Sequence, residues 1–136
     1  MECSLLLVAD YANIEQHGKL NVMGIFQSIN AQSFPVRHPS MFVVIRLLPE
    51  LGDSEGDTRT LTLKLLDQDG KELAGFSQEF EIPPSTGGQR SEINTLLELR
   101  DLVFPNPGTY DFVVLVDKDP KNSTPIYVNK VQAQQG

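Results

Sequence analysis

The sequence predicts an all-β fold: an antiparallel two-sheet β-sandwich, immunoglobulin-like or C2-like, of about seven to eight strands. Three observations carry that expectation. Apolar residues recur with period two in eight segments, while helical periodicity is weak throughout. Clusters of Gly, Pro, Asn and Asp bound those segments. The connections run from a few residues to about nine, a spacing typical of sandwiches and barrels.

The first strand is CSLLLVADYANI, residues 3–14, and the second is KLNVMGIFQSINA, residues 19–31. Gly18 supplies the positive φ of the tight turn between them. That turn sets Asp10 and Tyr11 roughly opposite Met23 and Gly24, with the tyrosine ring expected over bare glycine backbone. FPVRHPS then interrupts the pattern, because its two prolines cannot donate ladder hydrogen bonds. MFVVIRLL, residues 41–48, is apolar on both parities except at Arg46, as expected of a central strand covered on both faces.

TLTLKLL places Leu61, Leu63 and Leu65 on one face, and the Asp-Gly of DQDGK closes a hairpin to ELAGFSQEFEI. In that partner strand Phe76, Phe80 and Ile82 share a parity. PPSTGGQRS is read as a flexible linker. The segment at 92–101 is assigned as a strand from Ile93, Leu97 and Leu99, although Ile93, Leu96, Leu97 and Arg100 also fit one helical face. TYDFVVLVD and TPIYVNKVQA complete the set, the latter as an edge strand. One domain over 1–131 and a frayed tail over 132–136 follow.

In NPGTYDFVVLV, a Pro-Gly turn delivers Tyr110 to the start of a core strand. There it either forms the tyrosine corner of immunoglobulin-like Greek-key domains or is one more inward aromatic.

The 136 residues suit a single core, with 40% hydrophobic side chains. Eighteen acidic against 11 basic residues give a net charge of −7, which disfavours nucleic acid as a partner. Cys3 is the only cysteine, so an internal disulfide and a cysteine-based zinc site are excluded. Leu5–Ala9 is too short for a signal-peptide core, and no stretch has the length of a membrane span, so no membrane association is expected and the expected location is cytoplasmic.

If every connection reverses the chain, loops 15–19, 49–58, 83–91 and 117–124 share one end of the sandwich, and 31–39, 67–70 and 104–108 share the other. The first end then carries Asp53, Asp57, Asp117 and Asp119, from which a Ca²⁺ site is geometrically allowed. Lys118 and Lys121 oppose a cation there, and Asp and Gly are ordinary turn residues. The preferred assignment is therefore no metal and no cofactor, with Asp117 and Asp119 marking a strand's exit into water.

His17 and His38 fall at opposite ends, no G-x-S-x-G elbow is present, and STGGQRS lacks the G-K-[ST] of a phosphate loop. No catalytic set is assigned; only His38 meeting Asp67 or Asp69 in a deep pocket would suggest one. Asp10 and Arg46 are charges within apolar strands. Either they pair across the sheet as buried charges, or each lines a solvated face.

The motifs Ala9-Asp10, Gly18 to Asn21, Gly24-x-Phe26, Pro35-x-x-His38-Pro39, Asp67 to Gly70, and Phe104 to Gly108 followed by Tyr110 and Phe112 together resemble a family of small bacterial proteins of unknown function. The resemblance extends to about residue 118. It implies a sandwich fold and a bacterial origin and adds no activity. The expected function is that of a non-enzymatic interaction or assembly module. Its partner would be a protein, with self-association as a homodimer through a strand edge or sheet face; the alternative is a domain binding a small ligand or Ca²⁺ at the acidic loop end.

Overall fold

The computed structural model describes residues 1–132, and every residue of regular structure among them lies in a strand. The nine strands are β1 (Glu2–Ile14), β2 (Leu20–Ile25), β3 (Ser28–Ala31), β4 (Val36–Leu48), β5 (Thr58–Leu66), β6 (Glu72–Glu81), β7 (Ile93–Phe104), β8 (Gly108–Val116) and β9 (Asp119–Lys130). They form a four-stranded sheet in the order β2-β1-β4-β7 and a five-stranded sheet in the order β3-β9-β8-β5-β6. The core between them follows the period-two pattern. Val8, Met41, Val43, Ile45, Leu47 and Leu99 face Leu61, Leu63, Leu65, Phe112, Val114 and Ile126.

The expected seven to eight strands are thus nine, because residues 19–31 are two strands in different sheets. The apolar pair Ile25-Phe26 and the polar pair Gln27-Ser28 interrupt the alternation, and there the chain crosses over. Phe26 N–H donates to Val8 O (3.0 Å), and Gln27 O accepts from Tyr127 N–H (2.8 Å). β3 then pairs with β9 in parallel, so the sandwich is not wholly antiparallel, and β9 is not the edge strand expected of it.

Two further boundaries differ from expectation. β4 begins at Val36, its pairing with β7 running from His38–Leu102 to Ser40–Arg100 across the intervening Pro39. The supposed loop 117–124 is a two-residue hairpin in which Asp117 and Lys118 both take positive φ, 50° and 71°, the geometry of a type I′ turn. Segment 92–101 lies in strand β7 and at its entry, not in a helix. Most of the expected tail, 133–136, lies outside the described residues.

β4 is buried on both faces. Its inward side chains fill the core, and outward-facing Val44 is also fully buried. The cover is the β1–β2 hairpin. β1 pairs with β4 only as far as Ala9–Phe42, then continues with β2 alone to Ile14. This free part of the hairpin lies over the outer face: Ala12 is buried, and Tyr11 meets Phe42 edge-on at 5.4 Å. At the tip, Gly18 O accepts from Asn94 Nδ2 of β7 at 3.4 Å. The turn 15–19 therefore sits over the sheet and not with the loops at the sandwich end.

At the opposite end from loops 49–57 and 83–92, buried Tyr110 donates its hydroxyl to Asn106 O at 2.6 Å and packs edge-on against Phe104 at 5.0 Å. This bond fixes the connection between β7 and β8, which crosses from one sheet to the other. Tyr110→Phe should lower unfolding stability by about 1 kcal/mol, read as a lower urea midpoint with an unchanged slope.

Candidate functional site

Three of the four aspartates proposed for calcium do converge, and what they surround is a guanidinium. Arg59, the second residue of β5, places Nη2 3.0 Å from Asp53 Oδ1 and Nη1 3.1 Å from Asp117 Oδ2, with Asp57 at 3.8 Å. Asp53 also meets the α-ammonium of Met1 at 2.7 Å, which Glu50 shares at 2.7 Å. Asp117 accepts Thr60 N–H at 2.9 Å through its other oxygen. Asp119 stands apart, exposed and paired with Lys121 at 2.8 Å. Among the described residues, no group of three or more His, Cys, Asp and Glu side chains is arranged to hold a metal ion.

The electrostatics follow from those contacts. Burial pushes the Asp53 carboxyl up, but the Met1 ammonium, the Glu50 N–H and Arg59 together outweigh it, and the net shift is downward. Asp117 is also held below the ordinary aspartate range, first by Thr60 N–H and then by Arg59. Its part in the β8–β9 turn is structural. The carboxylate ties the positive-φ hairpin to the start of β5, so it does more than mark a strand's exit into water.

Arg46 and Asp10 do not meet in the structure. Arg46 Nε donates to Asn94 Oδ1 at 3.0 Å and lies 3.7 Å from Glu92. Because Asn94 in turn holds Gly18 O, the misplaced arginine belongs to a polar clasp beneath the hairpin tip. Asp10 is exposed, and its carboxylate lies over Gly24. A β-carbon on Gly24, at φ 72°, would sit 2.5 Å from Asp10 Oδ2. The glycine therefore makes room for a carboxylate; Tyr11, expected over it, stands opposite Met23 instead.

The histidines remain scattered. His38 packs against Phe26 at 5.6 Å and does not line the small pocket of about 70 Å³ formed by Asp67, Asp69 and the Pro105–Tyr110 turn. A larger cleft of about 560 Å³ opens between loops 49–55 and 82–91, with Ile82, Pro83, Leu51 and Arg90 among its walls. Arg90 closes one side by donating to Pro49 O at 2.9 Å and pairing with Glu2 at 3.2 Å.

Among the described residues, the largest concentration of exposed apolar side chains lies elsewhere, on the β1–β2 hairpin. Met23 is 66% exposed, Ile25 61% and Tyr11 48%, and Ile14 is also exposed. Among the described residues, β2 has β1 as its only sheet neighbour and no strand lies along its outer backbone edge. Sequence reasoning placed these residues in a strand but missed their exposure, because an alternating apolar strand reads the same whether its second face is covered or bare.

A model of the family of unknown function DUF6941 matches residues 4–129. The chain belongs to DUF6941. No curated protein matches it. Similar solved structures include a β-glucuronidase of glycoside hydrolase family 2 (17% identity, TM-score 0.44, 68% of this chain and 10% of that one). A second is the Pseudomonas fluorescens alkylpurine DNA glycosylase AlkC bound to DNA containing an abasic site analog (13%, 0.47, 94% and 30%). A third is a putative β-galactosidase of Bacteroides fragilis (15%, 0.43, 69% and 15%). The DUF6941 chain thus spans less than a third of each.

Three measurements test Arg59 as the guanidinium shared by Asp53, Asp57 and Asp117. Arg59→Gln should lower the melting temperature near pH 7 by roughly 3–6 °C. Asp53 and Asp117 have folded pKa values below their unfolded ones, so their contribution is present above about pH 4 and lost as pH falls through the folded values. The gap between wild type and variant should therefore narrow in melts taken below pH 4. Millimolar Ca²⁺ should leave the wild-type melt unchanged, because the guanidinium already occupies the space between the carboxylates; a rise of several degrees would contradict that assignment.

Proposed function

We propose that this chain is a non-enzymatic, cytosolic interaction module of immunoglobulin-like topology that engages a protein through the β1–β2 hairpin. The topology rests on strand order. β4 beside β7, and β9-β8-β5-β6 across from them, correspond to B–E and G–F–C–C′ of a variable-type domain. The Tyr110 hydroxyl bonded to backbone four residues upstream supports the same assignment.

One observation carries the functional part: exposed Met23, Ile25 and Tyr11 gather on a hairpin whose outer strand has an open edge. Apolar side chains give a partner buried area, and free N–H and C=O groups give it directional bonds. The titratable groups support a structural role. Asp53 and Asp117 are taken up in ion pairs with Arg59, and His38 packs against Phe26.

A photo-crosslinking residue at Ile25, introduced in the native host, should yield a discrete protein adduct, whether to another protein or to a second copy. The same residue at exposed Gln68, in the β5–β6 turn, should yield none. Equal labelling at both positions, or none at Ile25, would remove the hairpin from the proposal.

A further inference from the structure

No further inference is drawn: the strongest candidate, the exposed apolar face of the β1–β2 hairpin with the adjoining β2 edge, belongs to the site already described, and nothing in the structure shows what covers it.

Discussion

The structure depends on β4 being apolar on both faces. A strand whose outward Val44 is as buried as its inward Val43 and Ile45 needs two covers, and a two-sheet sandwich supplies only one. The second comes from the chain's own beginning. β1 leaves β4 after Ala9, carries β2 with it, and lies across Phe42 and Val44. The Arg46–Asn94–Gly18 clasp then holds the tip with polar contacts where the apolar ones end. With the hairpin committed to this role, the chain reaches β9 through the short crossover at Phe26–Gln27, and β3 lies parallel to that strand.

The same commitment explains where apolar surface is left bare. A two-stranded hairpin laid over a sheet has one covered side and one that faces solvent, and among the described residues β2 has a further edge with no strand beside it. Ala12 on the covered side is small, suited to close approach, whereas Met23 and Ile25 are large and exposed. The loop end solves a different problem. It gathers Asp53, Asp57 and Asp117 about Arg59, with the Met1 ammonium also on Asp53, so these ion pairs hold the β5 start, the 49–57 loop and the β8–β9 turn together. One end of the molecule is thus internally satisfied, while the hairpin is not.

Much of this was legible in the sequence. Leu61, Leu63 and Leu65 face the core as their alternation requires, Gly18 and Gly70 turn their hairpins at positive φ, and Tyr110 bonds back across the turn before β8. The convergence of Asp53, Asp57 and Asp117 was legible too, from strand direction alone. What was missed has physical causes. The crossover at Phe26–Gln27 is marked only by the apolar pair Ile25-Phe26 and the polar pair Gln27-Ser28, a break in alternation with no proline to end the strand. Arg59 was overlooked because a lone arginine among scattered bases gives no periodic signal. Its position directly after the acidic 49–57 loop was the available clue. Asp10 and Arg46 stand out as charges in apolar strands, but Asp10 is exposed, and half-buried Arg46 bonds to Asn94, which carries no charge to suggest it.

Edge chemistry links fold to function most directly. In a sandwich the exposed edges are where a soluble chain risks unwanted pairing, and charged residues on β6 and β7 meet that risk at two of the four. The hairpin cannot use the same device freely. Its apolar content is what covers Val44, and a charge turned toward Phe42 or Val44 would be buried without a partner. Asp10 shows how β1 accommodates an acid where it leaves β4: the carboxylate is directed outward over Gly24, whose missing β-carbon makes the room. That irregularity interrupts only the Ile25 end of β2. From Leu20 to Met23 the edge keeps regular strand geometry with no charged side chain, so the proposed role and the cover of β4 would draw on the same hairpin.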